Sequence, residues 1–148
     1  MSNTYGNQSH LDDAKVNVRT KISALWTTLM FCYIYADYFE LYVPGKLADM
    51  IAGNIGLLGQ VTQAILVGTA ILLAIPTMMI FLSIVLSPQI ARWANIIFGV
   101  VYTLVAVATL CAPGAWIFYR IFCAIEILLA VAIIGYAWYW PKKISINN

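Results

Sequence analysis

Residues 60–86 read QVTQAILVGTAILLAIPTMMIFLSIVL, an apolar run without one charged side chain. A helix needs about 20 such residues to cross the hydrocarbon core of a bilayer, because each residue advances it by only ~1.5 Å. A helix apolar on every face must be surrounded on every side, and a chain of 148 residues has too little mass to do that in water. The run therefore reads as a membrane span.

Working outward, three more runs of comparable length flank it, at residues 22–43, 93–112 and 115–140. Turn-forming residues separate them. Pro44-Gly45 closes the first, Ser87-Pro88 the second and Pro113-Gly114 the third, while Pro141-Lys142-Lys143 stops the fourth. The composition agrees: 63% of residues are hydrophobic and 9% charged, against roughly 25% charged in soluble domains. The expected fold is all-α, an integral membrane four-helix bundle occupying residues 21–141. Residues 1–20 form a polar tail read as mobile, and residues 142–148 a short second tail. The polar start lacks a small-residue cleavage site, so the first run is read as a retained span rather than a signal peptide.

Orientation follows the distribution of Lys and Arg. Lys15, Arg19, Lys21, Arg92, Lys142 and Lys143 fall on one side, and the connecting segments of the other hold only Lys46. Both termini are therefore expected in the cytoplasm of a cell-membrane, multi-pass protein. Trp26, Trp93, Trp138 and Trp140 suit the inner boundary; Tyr38, Tyr42, Trp116 and Tyr119 suit the outer one. Between the first two spans, Leu47, Met50, Ile51, Ile55 and Leu58 recur at helical spacing, which predicts a short amphipathic helix in the outer interface. Gly53, Gly56 and Gly59 then give a closely packed return.

Each span carries a stripe of polar or small residues at intervals of three and four. The stripes are Trp26, Met30, Tyr33, Asp37 and Glu40; then Gln60, Gln63, Val67, Ala70, Ala74 and Thr77; then Asn95, Gly99, Tyr102, Ala106 and Thr109; then Tyr119, Cys123, Glu126, Ala130 and Ala137. Helices in lipid associate through small residues and interhelical hydrogen bonds, so the stripes predict a narrow polar seam. Acids there are functional candidates, since an ionised carboxylate at mid-bilayer costs roughly 2.5–3.5 kcal/mol on insertion scales. Glu126 lies about 15 Å along the helix from Trp116, near the midplane, with Tyr102 at similar depth as a hydrogen-bond partner. Asp37 and Arg120 share the outer leaflet, where Arg120 can pair with Asp37 or Glu40. The candidate ligand-binding residues are Tyr33, Asp37, Glu40, Gln63, Tyr102, Arg120 and Glu126.

Several chemistries lack their residues. The single histidine, His10, lies in the polar tail, and Glu126 has no histidine three residues on, so neither His-ligated metal or haem sites nor a di-iron bundle is expected. No metal and no cofactor is assigned. Cys32, Cys111 and Cys123 show no CxxC spacing and read as small apolar residues. A net charge of +2 gives no basis for nucleic-acid binding.

The segments Tyr35-Ala36-Asp37, Pro44-Gly45 and Arg92-Trp93-Ala94-Asn95, followed by Glu126, resemble those of a bacterial family of four-span proteins that is a domain of unknown function. The likeness covers about residues 20–141. In size and topology the chain is more remotely similar to DoxX-like small membrane proteins, without matching residues. The resemblance implies a bacterial inner-membrane four-helix fold and no activity.

Three roles are open. The leading one is binding or transport of a small cationic or lipidic ligand from the outer-leaflet side, with the bilayer, that ligand and a homo-oligomer as partners. The second is an accessory or structural membrane subunit. The third, an enzyme, is an intramembrane lipid or isoprenoid isomerase or cyclase using Asp37 and Glu126 as acid and base.

Overall fold

The computed structural model describes residues 14–55 and 59–141. It is predominantly helical, as α1 (Val18–Glu40), α2 (Lys46–Ile51), α3 (Gln63–Val85), α4 (Pro88–Leu110) and α5 (Ile117–Trp138). Two short strands, β1 (Asn54–Ile55) and β2 (Gly59–Gln60), form an antiparallel ribbon between α2 and α3. Three helices, α3, α4 and α5, are long and apolar enough to cross a membrane. The chain has the make-up of a membrane protein.

Helix boundaries follow capping chemistry rather than the edges of the apolar runs. Asn17 Oδ1 accepts the amide of Arg19 at 3.0 Å, which starts α1 before its first long apolar stretch. Thr62 Oγ1 accepts the amide of Ile65 at 3.3 Å and opens α3. Pro88 opens α4, where its missing N–H is harmless and its fixed φ already helical. That moves the start of α4 well ahead of residue 93. Gly114, with φ of 80°, makes the tight α4–α5 turn in a conformation that a Cβ disfavours.

The segment after α1 holds a shorter helix than the apolar pattern from Leu47 to Leu58 predicted. Only Lys46–Ile51 is helical; Gly53, with φ of 78°, ends the helix and the ribbon follows. Gly56 and Leu58, counted in the expected pattern, lie outside the described residues.

α1 packs between α3 and α5, and α5 packs extensively on α4. The α3–α4 contact that closes the ring is the slightest of the four. The core gathers toward one end: Ile22, Trp26, Leu29, Met79, Ile96, Tyr102, Ile133 and Ala137 form one buried cluster. Gly99 permits the α4–α5 approach, since a Cβ there would stand 2.7 Å from Ile134 Cγ1. Such close passage is how helices gain contact area in lipid.

Two arginines secure the Arg92 end. Arg19 Nη1 donates to the carbonyls of Ile84 and Leu86, the latter at 2.8 Å, at the close of α3. Arg92 donates from Nε to Ala137 O at 3.2 Å and from Nη2 to Trp138 O at 3.4 Å, at the close of α5. Each cation thus meets carbonyls that a helix C-terminus leaves free, at the negative end of its dipole.

Trp26, expected at the inner boundary, faces the bundle interior. It is fully buried, and its Nε1 donates to Asn95 Oδ1 at 2.7 Å. Asn95 Nδ2 donates to Ala91 O at 2.7 Å, and Ser83 Oγ lies 3.0 Å from Asn95 Oδ1. A three-helix polar knot therefore stands inside the core.

Candidate functional site

The α4 and α5 stripes coincide with buried faces: Asn95, Gly99, Tyr102 and Ala106 on one, Cys123, Glu126, Ala130 and Ala137 on the other. The α1 face is rotated from expectation and runs through Ile22, Trp26, Leu29, Cys32 and Ala36. On α3 only Pro76, Met79 and Ser83 are buried, whereas Val67, Ala70, Ala74 and Thr77 are exposed. Small residues at helical spacing do not make a seam unless a partner helix is in reach.

The middle of the bundle holds an aromatic stack. Trp26 meets Tyr102 edge-on with ring centroids 5.7 Å apart, and Tyr33 lies 6.4 Å from Tyr102. The Tyr102 hydroxyl donates to Leu72 O on α3, not to Glu126 as its depth had suggested. Leu72 is four residues before Pro76, which has no amide hydrogen, so this carbonyl lacks its helical donor. The hydroxyl replaces the missing bond.

Next to this stack, toward the Gly114 end, Glu126 is 4% exposed. It lies within electrostatic reach of Tyr33, Cys32, Cys123 and Asp37. The Tyr33 hydroxyl is sealed from solvent and has no hydrogen-bond partner among the described residues. Tyr33, Tyr102, Glu126 and, at the margin, Asp37 are thus brought together. Asp37 itself is exposed.

The remaining candidates separate from them. Glu40 pairs with Lys46 Nζ at 2.6 Å rather than with Arg120. Arg120 is exposed and makes no ion pair among the described residues, with Asp37 or with Glu40. Gln63 is the exposed first residue of α3.

Two adjoining cavities open at the Gly114 end. The larger, about 530 Å³, is walled by Glu40, Lys46, Asp49, Thr109, Trp116 and Tyr119, among others. The smaller, about 340 Å³, is lined by Phe39, Tyr42, Val43, Trp116, Phe118 and Phe122. Val43, Trp116 and Phe118 are common to both. Of the expected ligand residues, Glu40 alone lines either of these two cavities; neither includes Asp37 or Glu126. Asp49, Lys46, Trp116 and Tyr119 take the other polar places. Of these, Tyr119 had a usable signal, lying four residues before Cys123 and seven before Glu126 on the same helix face. Asp49 and Lys46 had none, because their position depends on the turn after α1.

Chemically, the larger cavity joins carboxylates and a lysine to aromatic edges, and the smaller is almost wholly apolar. Among the described residues no three His, Cys, Asp or Glu side chains converge as metal ligands.

Neither a curated protein nor a solved structure matches the chain. A family of unknown function, DUF6326, matches residues 11–146, which is nearly the whole sequence. The chain belongs to this family.

Proposed function

We propose that this protein is a four-span membrane protein whose cleft at the Gly114 end, on the outer side of the membrane, binds a small amphipathic cation. The observation that carries the reading is the adjacency of the two cavities. One offers Glu40 and Asp49 with a single cation, Lys46; the other offers aromatic walls from Phe39, Trp116 and Phe122. Acidic groups attract a cationic head, aromatic faces hold it, and the apolar cavity takes a hydrocarbon tail.

The fourth span in this reading is α1, which equals α3 and α4 in length and packs between α3 and α5. Lys and Arg clustering at the Arg92 end supports cytoplasmic termini. The exposed Leu47 and Ile51 of α2 support its lying in the outer interface. The motifs quoted above fit the same picture, because Arg92 and Asn95 tie helices together and Gly45 starts α2 with φ of 84°. A DoxX-like ancestry has no residue-level support.

The test uses the full chain in phosphatidylcholine nanodiscs and tetraphenylphosphonium as the cation. Calorimetry should show saturable binding that Asp49→Asn and Trp116→Ala each weaken about tenfold, equivalent to ~1.4 kcal/mol. Equal affinity in wild type and both variants would sink the idea.

A second reading, an assembly subunit or homo-oligomer, is favoured by the exposed Val67, Ala70, Ala74 and Thr77 on α3. Cysteine crosslinking at Ala70 in native membranes decides it: a specific crosslinked product supports assembly, and a purely monomeric pattern counts against it.

A further inference from the structure

Two polar groups in the α1–α5 seam have no partner among the described residues. The Tyr33 hydroxyl is sealed from solvent and unbonded. Glu126, 4% exposed, takes part in no hydrogen bond or ion pair with any described residue. The two are within electrostatic reach of each other. A buried carboxyl and a buried phenol left unpaired are both unfavourable, and increasingly so where the dielectric is low. One small hydrogen-bonding ligand between them would satisfy both.

The surroundings restrict what that ligand is. Facing Glu126 are Cys32, Tyr33 and Asp37 from α1, with Tyr119 and Cys123 from α5 itself. Tyr102 is the titratable group that α4 brings to the cluster, and its hydroxyl is committed to Leu72. α3 has no titratable side chain. No cation lies in this set and no metal-ligand triplet is present among the described residues. A proton carried on water fits the charge.

A route to the cleft exists along the same two helices. Asp37 stands about one helical turn from both Tyr33 and Glu40 on α1, and α1 packs on α5, which carries Glu126. Tyr119 is in reach of all three acids and also lines the larger cavity, as does Glu40. The carboxyls therefore run from the cavity wall through exposed Asp37 to buried Glu126.

We propose that Glu126 and Tyr33 hold a buried, water-bridged proton site that is loaded from the cleft by way of Glu40 and Asp37. A hydronium in the cleft gives its proton to the Asp37 carboxylate and becomes water. The proton passes over water to the Glu126 carboxylate, returning Asp37 to its anion. Glu126 then stands neutral, with its O–H directed to the bridging water and that water bonded to Tyr33. Glu40 favours the approach of the hydronium by its charge. The inference shares the four-span orientation and Glu40 with the proposed function, but its proton site, Glu126 and Tyr33, lines neither cavity.

Infrared difference spectra of the full chain in phosphatidylcholine nanodiscs, taken between acidic and alkaline buffer, test it. A protonated-carboxyl C=O band is expected to titrate in wild type, to be absent in Glu126→Gln and to change frequency in Tyr33→Phe. Exchange of that proton for deuterium should be slower in Asp37→Asn by about a hundredfold, the scale on which a positioned acid or base speeds proton transfer. The same band persisting in Glu126→Gln, an unmoved band in Tyr33→Phe, or wild-type exchange in Asp37→Asn each overturns the proposal. Should Glu126→Gln fail to fold, Tyr33→Phe decides alone, since it removes one hydroxyl and keeps the ring. Loss of cation binding in Asp49→Asn with the carboxyl band intact would remove only the cleft reading, and the reverse result only the proton site.

Discussion

The hydroxyl of Tyr102 on α4 donates to the carbonyl of Leu72 on α3, the carbonyl that Pro76 deprives of its helical donor. A proline is tolerated inside an apolar helix when a neighbour re-satisfies the freed group. Tyr102→Phe is expected to destabilise the protein by about 1–2 kcal/mol. In a Pro76→Ala background, where residue 76 regains an amide, the same substitution should cost roughly 0.5 kcal/mol or less. Reversible unfolding in mixed micelles gives both numbers, and equal costs in the two backgrounds would show the bond to be incidental.

The approach of α4 to α5 at Gly99 leaves no room for a side chain. Gly99→Ala should cost about 1–3 kcal/mol through displacement of Ile134. Gly99→Ala combined with Ile134→Ala should recover part of that loss, because the obstructing methylene is gone. A double mutant no more stable than the sum of its parts would place the strain elsewhere.

Asn95 bridges Trp26 and Ser83, and all three are fully buried. Asn95→Ala leaves the buried indole N–H without an acceptor and is expected to cost about 1–3 kcal/mol. Thermal unfolding checks the loss. Trp26→Phe in the Asn95→Ala background should add less than Trp26→Phe does alone.

Sulfhydryl labelling checks the orientation. Cys111 is exposed at the end of α4, while Cys32 and Cys123 are buried. A membrane-impermeant maleimide added to intact cells should modify Cys111 and spare the other two. Modification of Cys111 only after permeabilisation would invert the proposed topology.

Removing the Arg92 guanidinium tests the clamp at the close of α5. Arg92→Met should lower stability by about 0.3–1 kcal/mol, the scale of a cation at a helix C-terminus, with a loss near 2 kcal/mol if the site is well shielded. Arg92→Lys should restore the charge but not both bonds to Ala137 and Trp138.

Helices and turns were legible because Pro88, Pro113, Gly114 and Pro141 punctuate apolar runs too long for anything but helix. The rotation of each helix was legible only in part. On α4 and α5 the polar groups Asn95 and Glu126 sit inward, so polarity marks the phase. On α3, with no charge at all, lipid and protein interior offer an apolar side chain the same environment. Spacing therefore placed Ala70 and Ala74 inward, while the structure buries Met79 and Ser83. The pairing of Glu40 with Lys46 escaped for a different reason: it depends on the path of the turn, which hydropathy does not encode.

The unequal burial of α3 has a mechanical meaning. Its last ten residues are pinned by Met79, Ser83 and the Arg19 guanidinium, while the half before Pro76 has no buried residue. A beam fixed at one end and notched at its midpoint flexes at the notch. Ahead of that notch the Tyr102–Leu72 bond ties α3 to α4, so this bond governs how far that half can swing about Pro76 on the cleft side, while Met79 and Ser83 hold the Arg92 end.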